Sequence, residues 1–269
     1  MTPVVTRIAA AALGLTSAAP GGAAEPPPPV RVEGTAFVVG LPDGRTLAQE
    51  ELVGAVLDVR DERGRPLTVR IDAVARDPQD PRRETVLYRL RALDGRGEWQ
   101  ELCLPDPAGE RWAFPLAGTW SATGEHLPHP EAFNVTCTSG SIGKCVRAGY
   151  KPWAAAADGT PLWDHHQACV RMFRADYCGD GVAATRDGTL IDMYNGLGVQ
   201  AEEGKRDLRF EAGWGKDGAV CVARPRVPEN VTLERLERRC PARLAGRVGP
   251  AACTEDKARG GGALILNKS

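Results

Sequence analysis

The sequence predicts a disulfide-stabilised α+β fold, in which a β-rich N-terminal antiparallel sheet or sandwich precedes a cysteine-rich part with two short helices. Three features predict this class. Apolar and polar residues alternate within residues 30–115, the chain has 31 glycines and 21 prolines, and seven of its eight cysteines follow residue 130. Alternation with period two is typical of strands with one buried face. Abundant Gly and Pro favour short strands and many turns.

The first 24 residues have the pattern of a secretory leader. Arg7 is their only charged residue, an apolar run follows at residues 8–15, and small residues lead to Ala24. The pattern predicts a signal peptide at residues 1–24 with Glu25 as the first mature residue, although an Ala-rich tail has a similar composition. A bilayer span needs about 20 apolar residues, and no run in the chain reaches that length. We therefore expect no membrane span and a periplasmic or extracellular location.

Beyond the leader the sequence divides into three parts. Residues 25–29 form a Pro-rich, extended spacer. Residues 30–115 form the β-rich N-terminal region, in which residues 69–73 and 86–92 alternate most regularly. Residues 116–269 form the cysteine-rich region, which we expect to pack with the β region as one unit.

Two short helices are predicted in the cysteine-rich region. Residues 139–147 open the first helix. Asp164 is a plausible N-cap of the second, which extends to about residue 177 and is stopped by Gly179. Asp176 would then lie in the last turn, against the negative end of the helix dipole, and would need a basic donor. The candidate donors are Arg171, Arg174, Lys144 and Arg147.

All eight cysteines lie downstream of the leader, and an even set in an exported chain predicts a disulfide framework. They are Cys103, Cys137, Cys145, Cys169, Cys178, Cys221, Cys240 and Cys253. On a continuous helix Cys169 and Cys178 point in roughly opposite directions, so they should bond to different partners. Cys240 and Cys253 flank a segment with Pro and Gly and could close a late loop, although eight cysteines allow 105 pairings.

Several blocks of the cysteine-rich region resemble the bacterial ADYC domain. Residues 174–181 contain the sequence Ala175-Asp176-Tyr177-Cys178, for which the family is named. The other matching blocks are residues 144–147, 149–153, 166–172, 187–192 and 210–214. The resemblance covers about residues 100–255 and implies an exported bacterial protein. It implies no catalytic or binding residue.

Charge and motifs argue against several classes of function. The formal net charge of −1 argues against a nucleic-acid partner. His165 and His166 near Asp176 suggest acid–base or metal chemistry, but His165 and Asp176 lie roughly 16 Å apart on a continuous helix. A water-exposed histidine pair, with Asp176 bonded to an arginine, explains them more simply. We expect no catalytic residue, no metal and no cofactor.

Four aspartates lie in a Gly-rich stretch, where oxygen ligands can hold calcium. They are Asp176, Asp180, Asp187 and Asp192. Their spacing does not match an EF-hand, and Asp-Gly pairs are common in turns, so turn chemistry is the simpler interpretation.

A candidate functional surface combines these groups with aromatic residues near the family blocks. Its members are His165, His166, Asp176, Tyr177, Trp153, Trp163 and Trp214. The aromatic residues, with Tyr194, either pack in the core or line a shared groove for a glycan or peptide of the cell envelope.

The sequence therefore favours a non-enzymatic binding module of the envelope or the extracellular space. One alternative is a hydrolase of an envelope polymer that uses His165 or His166 with Asp176. A pocket joining a histidine to a carboxylate would favour that enzyme. The other alternative is a purely structural secreted domain.

Overall fold

The computed structural model describes residues 4–6, 29–61, 64–80, 82–129, 132–204 and 207–269. These residues form two units. The first contains the described residues up to Trp120 together with His126–Lys144, and the second contains Ser121–Glu125 and Cys145–Ser269. The predicted cleavage site and residues 25–28 of the predicted spacer lie outside the described residues.

The first unit consists of short strands, as the alternation predicted. The strands are β1 Val4–Thr6, β2 Val30–Glu33, β3 Ala36–Gly40, β4 Thr46–Ala48, β5 Val56–Arg60, β6 Pro66–Arg76, β7 Val86–Leu93, β8 Trp99–Glu101, β9 Trp112–Ala117, β10 Thr119–Trp120, β11 His126–Leu127 and β12 Phe133–Cys137. A 3-10 turn at Gln49–Leu52 precedes β5.

These strands pair antiparallel throughout the described residues. The main sheet has the order β1-β12-β9-β7-β6-β5, with β8 also paired to β7, and β2-β3-β4 form a second sheet. On β6 the side chains of Val69 and Ile71 are buried, and on β7 those of Tyr88 and Leu90. The period-two pattern therefore predicted these buried positions correctly, but Leu87, which it placed on the wet face of β7, is buried too.

Aromatic side chains join the two sheets of the first unit. The ring of Phe37 on β3 lies 5.0 Å from that of Tyr88 and 5.2 Å from that of Phe133, both edge to face. The backbone N–H of Phe37 donates to the Tyr88 hydroxyl over 3.0 Å. Burial raises the pKa of Tyr88 to about 12. The buried hydroxyl is thus held neutral and oriented by the strand opposite it.

The predicted leader contributes a strand to this sheet. Val4–Thr6 pair antiparallel with β12, with Val4 opposite Val135 and Thr6 opposite Phe133. Cleavage before Glu25 would remove β1 and leave β12 with an open edge.

The second unit combines a small sheet with short helices. Its strands are β13 Asp192–Tyr194, β14 Phe210–Gly215, β15 Gly218–Val222 and β16 Ile265–Lys268, and its helices are α2 Trp163–Arg174, α3 Leu233–Arg239, α4 Pro241–Leu244 and α5 Glu255–Gly260. Helix α1, Ser141–Arg147, begins in the first unit and ends in the second. The strands have the antiparallel order β13-β16-β14-β15. Helix α2 packs against β14, β15 and β16.

Helix α2 differs from its prediction at both ends. Leu162 occupies the N-cap position, and Asp164 lies in the first turn. The helix ends at Arg174 because Ala175 adopts a left-handed conformation, with φ 49°, and donates its N–H to the carbonyl of Arg171. Asp176 therefore lies beyond the helix, where its side chain is free to cap the loop that follows.

Four disulfides pair the eight cysteines, and the described residues contain no free cysteine. The pairs are Cys103–Cys137, Cys145–Cys169, Cys178–Cys240 and Cys221–Cys253. The prediction that Cys169 and Cys178 have different partners is confirmed. The suggested loop between Cys240 and Cys253 is wrong, because each is bonded to a cysteine far away in sequence.

These disulfides indicate an oxidising compartment outside the cytosol. Across the parts of the chain that the structure describes, every helix is too short or too polar to cross a membrane.

Candidate functional site

Asp176 organises the loop that follows α2. Its Oδ1 accepts hydrogen bonds from the backbone N–H groups of Gly179 and Asp180, at 2.9 and 3.1 Å. Its Oδ2 accepts from the N–H of Gly181 at 3.0 Å and from Nη1 of Arg171 at 2.6 Å. The carboxylate is fully buried and bonded by four donors. Asp176 is therefore a capping residue of this loop, and the predicted basic donor is confirmed as Arg171.

Arg171 links this loop, residues 175–181 and hereafter the signature loop, to two neighbouring segments. Its side chain is 4% exposed and its Nε donates to the carbonyl of Lys216 over 3.2 Å. Its Nη1 also donates to the carbonyl of Thr123. One turn earlier on α2, Gln167 donates to the carbonyl of Gly124 over 2.6 Å. Polar side chains of α2 thus hold the backbone of residues 123–124 and 216 by hydrogen bonds.

Tyr177 belongs to a buried polar network beneath α2. Its hydroxyl donates to Oε1 of Glu211 and accepts the backbone N–H of Arg226, both over 2.9 Å. Oε2 of Glu211 accepts from Nε of Arg226 at 2.9 Å and from Asn267 at 2.7 Å. Trp214 donates its indole N–H to Asn267 over 2.8 Å. Burial and the Glu211 carboxylate raise the pKa of Tyr177 well above its ordinary value.

The network also completes the C-terminal end of α2. The Arg226 guanidinium donates to the carbonyls of Met172 at 2.8 Å and Phe173 at 3.2 Å, which lie in the last helical turn. A cation at this position opposes the negative end of the helix dipole. Glu211 balances the same guanidinium, and both side chains of this ion pair are 0% exposed. Such a closed network orients a buried core, and it presents no group to a ligand.

The rest of the signature packs closely on the turn between β14 and β15. A Cβ at Gly179 would lie 1.8 Å from the carbonyl oxygen of Asp217, and Gly179 has a φ of +73°. The N–H of Ala219 donates to the carbonyl of Tyr177 over 2.9 Å. Cys178 is bonded to Cys240 at the end of α3. Each of the residues that name the family therefore has a structural contact.

The two histidines lie inside the second unit. His165 is 6% exposed and His166 is fully buried, so the interpretation of a water-exposed pair is wrong. Both histidines lie on α2, which packs against three strands. The His165 ring stacks parallel to that of Tyr150 at 6.5 Å. Burial lowers the pKa of His165.

The predicted functional surface is largely buried. Trp214 and Asp176 are 0% exposed, and Tyr177 is 1% exposed, like the buried histidines. These five positions are buried and therefore do not form an exposed groove. Among the aromatic members Trp153 is 45% exposed, and Trp163 is partly exposed.

Two more aspartates of the Gly-rich stretch, Asp180 and Asp192, take part in an ion pair and in hydrogen bonds. Asp180 pairs with Arg239 over 2.6 Å. The Asp192 carboxylate accepts the N–H groups of Glu203 and Gly204, each at 3.1 Å. Within the described ranges no group of three or more His, Cys, Asp or Glu residues is placed to hold a metal ion. Asp180 and Asp192 contact segments distant in sequence, so the turn interpretation does not account for these contacts.

Sequence reasoning missed a cavity beside the Cys178–Cys240 disulfide. It has a volume of about 370 Å³ and is lined by Cys178, Cys240, Ala242, Arg243 and Arg247. The sequence signal was the arginine-rich segment at residues 233–247. This segment lines a cavity together with Cys178 only in the folded chain, where a disulfide joins Cys178 to Cys240, 62 residues further along the sequence.

The fold and its contacts define an α+β protein held by four disulfides, with a signature loop that caps a helix and joins it to a sheet. The ADYC domain model matches residues 49–228, so the chain belongs to the ADYC domain family. The match begins earlier than the resemblance in the sequence suggested, inside the β-rich region, and ends earlier. Neither a curated protein nor a solved structure matches the chain.

Proposed function

We propose that this protein is an exported, non-enzymatic binding module that acts in the cell envelope or the extracellular space. The four disulfides support a compartment outside the cytosol. The leader pattern of residues 1–24 supports export.

The exposed Trp153 is the observation that carries this proposal. Its side chain is 45% exposed, whereas Tyr150 and Lys151 just before it and Leu162 after it are buried. Trp and Tyr are enriched at binding surfaces, because one large rigid ring gives contact area with little loss of conformational entropy.

The backbone around Trp153 is held on both sides. The N–H of Ala154 donates to the carbonyl of Lys151 over 3.0 Å, and that of Leu162 donates to the carbonyl of Ala154 over 2.9 Å. Ala155 and Pro161 form an antiparallel bridge that closes the intervening turn. A ring displayed on such a closed loop is preorganised, which reduces the cost of binding.

The proposed ligand is a glycan or peptide of the cell envelope. An indole face packs on the C–H face of a sugar ring or on an apolar peptide side chain, and its N–H offers one polar contact. The proposal excludes hydrolysis by His165 or His166 with Asp176. It does so because Asp176 is already bonded by four donors and the histidines are buried.

Retention of disulfide-intact protein on isolated envelope glycan and on immobilised envelope peptides tests this function. Trp153→Ala should weaken retention about tenfold, because an aromatic hot spot contributes roughly 1–4 kcal/mol. The midpoint of thermal unfolding should stay unchanged. Leu190→Ala is the matched control, since Leu190 is 55% exposed in the same unit.

The control should be retained like the wild type. Equal retention of Trp153→Ala and wild type would contradict the proposal. So would the absence of wild-type retention on both materials, which would leave a purely structural domain.

A further inference from the structure

The cavity beside the Cys178–Cys240 disulfide is cationic. Arg243 and Arg247 line it together with Ala242 and the two half-cystines, and these lining residues include no carboxylate. Residues 233–247 contain five arginines and two glutamates, in a chain whose formal net charge is −1. This segment of the second unit therefore carries an excess of positive charge.

Two acidic side chains in this part of the second unit are already engaged. Asp180 pairs with Arg239 over 2.6 Å. Glu237 accepts the backbone N–H of Gly246 over 2.7 Å. Within the described part of the chain, the guanidinium groups of Arg243 and Arg247 have no ion pair and no hydrogen bond. Two cations that share a cavity without a counter-charge repel each other, and an anion between them removes that repulsion.

The two arginines are held on a fixed backbone. The N–H of Arg243 donates to the carbonyl of Cys240 over 3.0 Å, so its position follows the disulfide. The carbonyl of Arg247 accepts the N–H of Val222 on β15 over 3.0 Å. Leu244 between them is fully buried. This frame presents both side chains from a preorganised surface rather than from a loose tail.

We infer that this cavity binds a phosphate group, free or carried as a monoester. A guanidinium offers planar, paired N–H donors that match two oxygens of an oxyanion, and Arg is the preferred residue for such recognition. A dianionic phosphate with three terminal oxygens can engage both guanidinium groups, whereas a single carboxylate is matched by one. The cavity of about 370 Å³ is larger than the phosphate group alone, so it also has room for the sugar or alcohol that carries it.

This site is separate from Trp153 and does not depend on it. Its ligand chemistry can come from free phosphate, from a sugar phosphate or from a phosphorylated lipid headgroup. Three probes distinguish these sources: inorganic phosphate, glucose 6-phosphate, and vesicles of phosphatidylcholine with or without phosphatidic acid.

Calorimetric titration of disulfide-intact protein with the two soluble probes, and co-sedimentation with the vesicles, test the inference. We expect saturable binding of at least one phosphate-bearing probe. Arg243→Gln and Arg247→Gln should each weaken that binding at least tenfold. Arg243→Lys keeps the charge but loses the planar fork, so it should weaken binding by less than Arg243→Gln.

Arg235→Gln is the matched control, because Arg235 is exposed on α3 and lies outside the cavity lining. It should change binding less than twofold. Trp153→Ala should leave phosphate binding unchanged, so this site and the Trp153 site can fail separately. An equal loss in Arg235→Gln would overturn the inference in favour of a diffuse positive field. Absence of binding to all probes, or wild-type binding by Arg243→Gln and Arg247→Gln, would also overturn it.

Discussion

Asp176 is the single residue on which the signature loop depends most. Its two carboxylate oxygens accept three backbone N–H groups and one guanidinium N–H, all between 2.6 and 3.1 Å. The Arg171–Asp176 pair is buried, with side-chain exposures of 4% and 0%. Breaking such a pair on one side leaves the other charge without compensation in a medium of low polarity.

We therefore expect Asp176→Ala to lower the stability of the second unit clearly. Loss of the carboxylate leaves Arg171 buried and unpaired, which costs about 3–5 kcal/mol. That corresponds to a fall of roughly 10 °C in the midpoint of thermal unfolding, measured by circular dichroism. Asp187→Ala is the control, because Asp187 is exposed in the same stretch. An unchanged midpoint in Asp176→Ala would contradict the structural role of this residue.

His126 gives the first unit a predicted response to acid. Its ring stacks on Trp120 with centroids 3.9 Å apart, and burial lowers its pKa to about 4. In the unfolded chain the pKa is about 6.5. Between these values the unfolded state binds a proton that the folded state excludes, so stability should fall as the pH drops from 6.5 to 4. Urea titrations across this pH range should show a smaller loss of unfolding free energy for His126→Gln than for the wild type. An identical dependence of the unfolding free energy on pH in the two proteins would contradict the assignment to His126.

At the scale of elements, the end of α2 and the turn between β14 and β15 form one packed block. Gly179 and Gly218 allow the two backbones to touch. A Cβ at Gly218 would lie 2.8 Å from the carbonyl oxygen of Tyr177, and one at Gly179 would lie 1.8 Å from that of Asp217. Neither neighbour can move aside easily, because both contacts are with backbone atoms.

Two glycine substitutions separate this close packing from backbone strain. Gly179 and Gly188 both have positive φ, but a Cβ at Gly188 would meet nothing within 4 Å. Gly188→Ala should therefore cost only the left-handed strain of about 1–2 kcal/mol. Gly179→Ala carries the same strain plus a backbone clash, and should unfold at a distinctly lower denaturant concentration. Equal denaturation midpoints for the two variants would show that the close contact between Gly179 and the carbonyl of Asp217 is absent.

Local periodicity explains which elements could be predicted from the sequence. On strand β7 the alternation predicted the burial of Val86, Tyr88 and Leu90 correctly, but Leu87, expected on the wet face, is buried as well. Helices α3, α4 and α5 have seven, four and six residues, too few to establish a helical period. The end of helix α2 was placed too late because Ala175 adopts a left-handed conformation, which a residue with a Cβ rarely does.

At the scale of the whole molecule, the disulfides and the family signature have the same role: both join elements that are distant in sequence. The signature joins α2 to the sheet through Tyr177 and to α3 through the Cys178–Cys240 bond. The buried network could not be predicted, because Glu211, Arg226 and Asn267 come together only in the folded chain. Disulfide partners and the arginine cavity depend on tertiary structure in the same way. Compartment and family, by contrast, depend on composition and local blocks, which the sequence displays directly.

The central claim is that the ADYC signature builds the scaffold and that the envelope ligand binds at exposed residues elsewhere, with Trp153 foremost. Retention of folded Asp176→Asn on the envelope material that retains the wild type tests it most directly. The measurement is made well below the unfolding midpoint of the variant, with Trp153→Ala beside it. We predict wild-type retention for Asp176→Asn and about tenfold weaker retention for Trp153→Ala. The claim would be contradicted if folded Asp176→Asn were no longer retained while Trp153→Ala were retained like the wild type.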